Sequence, residues 1–262
     1  MINNNQMIKK ILSLFLGLSI ATITFAQQSQ QLYTYNQNQI DLEFKGGFSL
    51  GGTAPMSIPR EIRHIDHYSP DFGHSYLLEV QLTKWYSNRW GFSTGLRYDT
   101  KAMNTTARVK SYKTEIINHG EKVAGYWTGR VNTNVNIQYL TLPLLTSYRI
   151  NNRLKVQGGV YFSYKLSGEF DGKVSEGYLR ENNPTGQKIS FVENQYATYD
   201  FGSDLRRVAY GVELSSTWKS TSHLSFIAQL SWGLSDIFKD TFDTVTFEMY
   251  PVYLTLGVAY QL

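Results

Sequence analysis

Two stretches near opposite ends of the chain alternate, residue by residue, between large apolar side chains and polar or small ones. In the first, IDLEFKGGFSL, Ile40, Leu42, Phe44, Phe48 and Leu50 share one parity, while Asp41, Glu43, Lys45 and Ser49 share the other. In the last, PVYLTLGVAYQL, Val252, Leu254, Leu256, Val258, Tyr260 and Leu262 alternate with Tyr253, Thr255, Gly257, Ala259 and Gln261. Successive side chains of a strand point to opposite faces, so each stretch is a strand with one apolar face. The last carries no polar turn residues after it, and as the edge of a soluble sheet it would invite aggregation. Pairing it with the first strand closes the sheet and removes both edges. A closed sheet with its apolar face outward satisfies every backbone polar group inside a bilayer. A soluble lipocalin-like barrel would reverse the faces, and the charges alternating along the first strand speak against it.

Six further strands follow the same rule. SYLLEVQLTKWY places Tyr76, Leu78, Val80 and Leu82 opposite Glu79, Gln81 and Thr83; WGFSTGLRYD places Trp90, Phe92, Leu96 and Tyr98 opposite Gly91, Ser93, Gly95 and Arg97. NIQYLTLPLLTSYRI, LKVQGGVYFSYKL, LRRVAYGVELSSTW and LSFIAQLSWGL supply the rest. The expected fold is therefore all-β: an eight-stranded antiparallel up-and-down transmembrane β-barrel of the outer-membrane type. The connections alternate long and short, beginning with a long segment over residues 51–74 and a tight turn at Ser87-Asn88-Arg89. Two further long segments span about 100–134 and 167–204, and residues 235–250 lead to the last strand. The flanks of the 100–134 segment keep some β character, so the third and fourth strands are expected to project beyond the membrane as a hairpin. Short periplasmic turns, long extracellular loops and periplasmic termini are the habit of outer-membrane barrels. Trp85, Tyr86, Trp90, Tyr148 and Trp218 beside the short turns would form one aromatic girdle, and Phe48, Tyr76, Tyr98 and Trp232 the other.

The N-terminus agrees with export. Lys9 and Lys10, the apolar run Ile11 to Ile23 and the small-residue site Thr24-Phe25-Ala26 read as a signal peptide over residues 1–26. Residues 27–39, rich in Gln, Asn and Ser, read as a flexible periplasmic leader, leaving 40–262 as the barrel domain. Cleavage would remove two lysines and lower the net charge from +4 to +2, too little to suggest a nucleic-acid partner. The chain has no cysteine, which rules out lipidation at the cleavage site and disulfides.

The fourth strand carries a more specific signal. YLTLPLLTSY, Tyr139 to Tyr148, resembles the Y-L-E-I-P-L-L-L-K-Y signature of the Bacteroidetes outer membrane protein β-barrel domain family, often labelled PorT-like. WGLSDI, Trp232 to Ile237, is similar to that family's Y-G-L-x-N-I segment. The resemblance spans Ile40 to Leu262 and implies a membrane and a fold, but no single activity. Thr141 stands where the family often has Glu, and Leu262 where many outer-membrane barrels end in Phe, with Tyr260 as the substitute aromatic.

Inward parity collects Asp41, Glu43, Glu79 and Glu213 against Lys45, Arg97, Lys155 and Lys165. Eight strands enclose only enough room for side chains, so these charges are expected to pair as a structural plug. The polar network predicted on this basis is Glu43, Lys45, Glu79, Arg97, Lys155, Lys165 and Glu213. His64, His67 and His74, with Asp66 and Asp71, crowd the first long segment and are the weak candidates for a metal site; their permissive spacing assigns none. Lys101, Arg108, Lys110, Lys113, Lys122 and Arg130 in the second segment could meet anionic lipopolysaccharide or a charged partner, or simply keep that segment solvated. No G-x-S-x-G elbow or phosphate-binding Gly-rich loop is present. The expectation is a non-enzymatic protein without cofactor, acting through extracellular loops in binding, adhesion or envelope assembly and secretion. Its expected partners are outer-membrane lipid, the barrel assembly machinery and a further envelope or extracellular protein. The alternatives are an outer-membrane enzyme on lipid or peptide, and a narrow transport pore.

Overall fold

A computed structural model describes residues 40–262 apart from 57, 58, 72 and 119. The expected signal peptide and leader lie outside the described residues. The strands are β1 (Ile40–Ala54), β2 (Ile62–Pro70), β3 (Tyr76–Trp85), β4 (Trp90–Asn118) and β5 (Glu121–Arg149), followed by β6 (Leu154–Glu181), β7 (Lys188–Asp200), β8 (Val208–Lys219), β9 (Leu224–Gly233) and β10 (Tyr250–Gln261). Eight of them close a ring in the order β1, β3, β4, β5, β6, β8, β9, β10 and back to β1, every pair antiparallel. At the closing seam Glu43 pairs with Gln261 and Ala54 with Tyr250, and the backbone N–H of Leu262 donates to Leu42 O at 3.0 Å.

The two faces fall as the alternation predicts. Phe44, Leu78, Leu96, Phe162, Leu214, Phe226, Leu254 and Leu256 are exposed on the outer surface, whereas Glu43, Glu79, Arg97, Gln157, Glu213 and Thr255 are buried inside. An apolar exterior over a polar interior inverts the order of a soluble protein and matches a barrel held in lipid. The short turns sit together at one end and are stitched locally. Ser87 Oγ accepts the Trp90 N–H at 2.9 Å, and Asn151 Oδ1 accepts from the Arg153 and Leu154 amides at 2.8 Å. Trp90 packs on Tyr148 with ring centroids 4.6 Å apart, as expected of a girdle. Trp85 does not join it: the side chain is fully buried inside the barrel, because it shares the parity of Glu79, Gln81 and Thr83.

The opposite end departs from the expectation of loops. β4 and β5 are each 29 residues long and β6 is 28, whereas a tilted strand needs about 9 to 11 to cross a bilayer. The expected β4–β5 hairpin is present. The segment 167–204, expected as a polar excursion, is instead the continuation of β6 together with β7, and 51–74 contains β2 on the outer edge of β4. β7 pairs with β6 and touches β4 through Ile117 and Thr198, so the projecting strands wrap upon themselves. They enclose a separate apolar core that includes Ile116, Trp127, Val131, Phe170, Val174, Leu179 and Tyr199. Segment 235–249 folds inward to add Ile237, Phe238, Val245 and Met249. Polar outward residues between these apolar ones lower the average hydrophobicity, which makes the stretch resemble a loop.

Candidate functional site

The interior of the ring is built from every second residue of eight strands, and buried, paired polar side chains occur at successive levels along it. Nearest the short turns, Trp85 Nε1 donates to Asp41 Oδ2 at 2.7 Å, Arg149 reaches the same oxygen at 3.3 Å, and the guanidinium lies 3.5 Å from the Trp85 ring centroid. Above it Lys155 Nζ donates to both Glu43 oxygens at 2.7 and 2.8 Å. Arg97 then bridges two carboxylates, donating to Glu79 Oε2 at 2.5 Å and to the two Glu213 oxygens at 2.7 and 3.0 Å. Lys45 reaches Glu79 at 3.4 Å. Gln157 ties the layers together through Gln81, Ser93 and Ser147 at 2.9 to 3.0 Å. All these charges are buried, and a buried charge stripped of its partner is costly, which favours paired side chains over an open lumen.

Six of the seven residues expected in this network are in it. Lys165 is not: its Nζ donates to the carbonyls of Leu205 at 3.1 Å and Gly202 at 3.4 Å, in the projecting half. The register of β5 against β6 shifts between Gln138 and Tyr139, where Ser167 and then Lys165 are the partners, so Leu166 is an extra residue. The extra residue follows Lys165, which still pairs with the buried Tyr139, so the bulge flips parity only in the continuation of β6 beyond it. Lys165 leaves the network because it lies past the layer of Lys101 and Tyr161, next to the 202–205 carbonyls. The structure also adds Asp99, Lys101, Arg149 and Lys219 to the buried interior. All four share the parity of Arg97, Ser147 and Glu213: Asp99 and Arg149 stand within stretches already read as strands, and one or two more residues of alternation reach Lys219 and Lys101. Lys101, expected in a solvated segment, lies 5.2 Å from the Tyr161 ring centroid and 5.7 Å from those of Tyr139 and Tyr253, with Asp99 3.8 Å away. This cationic and aromatic layer separates the polar plug from the apolar core above it.

The histidines are not assembled. His64 stands 3.7 Å from Asp66 on β2, and His74 lies 2.9 Å from Asp71 in the following loop, with His67 exposed on β2. Among the described residues no group of three His, Cys, Asp or Glu side chains is placed to hold a metal. Of the basic residues expected on the second segment, Arg108 and Arg130 approach Asp66 at 3.3 and 3.9 Å and Lys122 approaches Glu115 at 2.9 Å. Much of that charge is thus matched locally. Burial raises the phenols of Tyr199, within the projecting core, and of Tyr112, half-buried against it, well above their ordinary value, which keeps both neutral.

The family model described as outer membrane protein beta-barrel domain matches residues 25–239. No curated protein matches the sequence. Among solved structures, the chain is similar to the attachment invasion locus protein Ail of Yersinia pestis, at 10% identity and a TM-score of 0.38, over 87% of this chain and 100% of that one. OprG from Pseudomonas aeruginosa aligns at 11% identity and a TM-score of 0.33, over 87% of this chain and 98% of that one. CarO2 of Acinetobacter baumannii aligns at 10% identity and a TM-score of 0.38, covering 86% of this chain and 100% of that one.

Proposed function

This chain belongs to the outer membrane protein beta-barrel domain family, and on that premise we infer a non-enzymatic surface protein of the bacterial outer membrane whose long-strand end does the work. The observation that carries this reading is the division of the molecule into two unlike halves. One half is a barrel whose lumen is closed by ion pairs, which suits an anchor better than a channel. The other continues the same strands far past the apolar band around its own apolar core, which makes a stiff platform rather than a set of loose loops. That platform faces outward, both termini face the periplasm, and the protein acts through it in binding, adhesion or envelope assembly. The tyrosine and leucine signature from Tyr139 to Tyr148 supports placing the chain among the PorT-like members. Lipid covers the apolar band, and the barrel assembly machinery inserts the chain.

Because the chain has no cysteine, single introduced thiols report orientation directly. A membrane-impermeant maleimide on intact cells should label Lys122→Cys beside the β4–β5 hairpin tip and leave Asn88→Cys in a short turn untouched. Labelling of Asn88→Cys alone would overturn the orientation. Purified protein in a planar bilayer should show no stable large conductance steps; such steps would replace the anchor with a pore.

A further inference from the structure

Between β1, β2 and β4 the projecting half contains a chamber of about 210 Å³. Protein interiors rarely leave voids larger than a water molecule. A cavity of about 150 Å³ lined by Leu, Ile and Phe stays dry and takes up benzene or xenon. The present chamber is larger and has the same chemistry: Ile65, Tyr68, Met103, Val131, Phe247 and Met249 are among its walls. Its polar atoms are few. The Thr53 hydroxyl, buried on one wall, has that of Tyr253 as its near neighbour, and neither meets a well-formed hydrogen-bond partner among the described residues.

The chamber has a built wall and an entrance. Gly52 on β1 lets Met103 and Tyr68 close in, since a Cβ there would meet the Met103 sulfur at 3.0 Å and the Tyr68 ring at 3.3 Å. The Tyr68 hydroxyl donates to Gly51 O and tethers β2 to β1. β2 otherwise pairs with β4 along a single edge whose register shifts twice, between Ile62 and His64 and between Ile65 and His67. Ile65 and Tyr68 are both exposed at the mouth. Beneath lie Lys101 and its tyrosines, so a molecule that enters meets a cationic, ion-paired floor rather than a path through the barrel. An ion or sugar would lose its water here with almost nothing in return, whereas an apolar molecule would exchange water for dispersion contacts.

We propose that this chamber binds a small apolar molecule, of the size of one or two fused aromatic rings and carrying at most one hydrogen-bonding group, which Thr53 would meet. The site goes beyond the platform described above and does not depend on which side of the membrane that platform faces.

The methionines allow a direct test. Met103 and Met249 line the chamber, while Met56, 69% exposed, is not among its walls. Protein labelled with ¹³C at the methionine methyls, in lipid nanodiscs, would be titrated with naphthalene, whose ring currents move nearby methyl resonances. The proposal expects saturable shifts at Met103 and Met249 with Met56 unmoved. Filling the chamber by Ala107→Phe, or separately by Thr105→Phe, should weaken binding by at least about tenfold, in protein that retains heat-modifiable gel migration. Shifts that climb without saturation as naphthalene partitions into lipid would overturn the proposal. So would shifts that reach Met56 equally, or that survive in a folded filling variant.

Discussion

Replacing Arg97 with methionine tests whether the lumen is a dry, paired plug. Arg97 is the cation that Glu213 meets among the described residues, through two bonds of 2.7 and 3.0 Å, whereas Glu79 would keep Lys45 at 3.4 Å and Gln81 at 2.8 Å. Both carboxylates are almost completely buried, at 3% and 4% exposure. The substitution therefore strands one carboxylate and weakens a second, and leaving a buried charge uncompensated costs about 3 to 5 kcal/mol. Adding Glu213→Gln removes the stranded charge while the Glu79–Lys45 pair remains. The double variant should then recover to within about 1.5 kcal/mol of the starting protein, since replacing a whole buried pair by uncharged groups is close to neutral. The coupling term of the double-mutant cycle should reach about 2 kcal/mol. Equilibrium urea unfolding in lipid vesicles, followed by tryptophan fluorescence and by heat-modifiable migration, measures all four proteins. If Arg97→Met alone costs less than about 1 kcal/mol, or the two substitutions simply add, the lumen is hydrated and the plug argument fails.

Three further outcomes are expected. Leu256→Lys, in the middle of the outer band, should cost about 2 to 4 kcal/mol in the same unfolding assay, and Val252→Lys at its rim about 0 to 1; equal costs would refute the assigned band. Gly257→Ala should block the seam between β1 and β10, because its Cβ would sit 2.1 Å from Gly46 O and 2.5 Å from Gly47 Cα; unchanged folding yield in vesicles would show that the seam relaxes. Burial raises the Asp236 carboxyl above its ordinary 3.8, although it accepts the Met249 amide at 2.9 Å. A raised folded-state value means that its contribution is fully present below about pH 3.8 and is lost as pH rises through the folded value. Docking of segment 235–249 should therefore loosen with rising pH. Protection of the Ile237 amide, which donates to Met249 O at 3.1 Å, corrected for intrinsic exchange, should fall across that range, and Asp236→Asn should abolish the dependence.

The barrel itself was legible because its signal is local. Two-residue alternation needs no knowledge of neighbours, so Leu42 against Glu43 or Leu254 against Thr255 already separates the outer face from the inner one. The same parity placed Glu43, Glu79, Arg97, Lys155 and Glu213 inside before any partner was known. It also contained the inward positions of Trp85 and Lys101, which were assigned instead to a girdle and a loop on the strength of residue type. What each charge pairs with was not legible: Arg97 meets Glu213 across 116 positions of sequence, a contact that exists only once the ring has closed. Lys165 kept its inward parity, opposite Tyr139, but lies beyond the layer where the plug ends and meets the carbonyls of Gly202 and Leu205 instead, and nothing in the alternation marks that end. The projecting half was hidden for a different reason. Its strands bury one face against each other rather than against lipid, so their outer residues are polar and their average composition is that of a loop. The chamber within it joins Thr53, Met103 and Phe247, residues brought together by three separate elements, and only tertiary packing decides that a space remains between them.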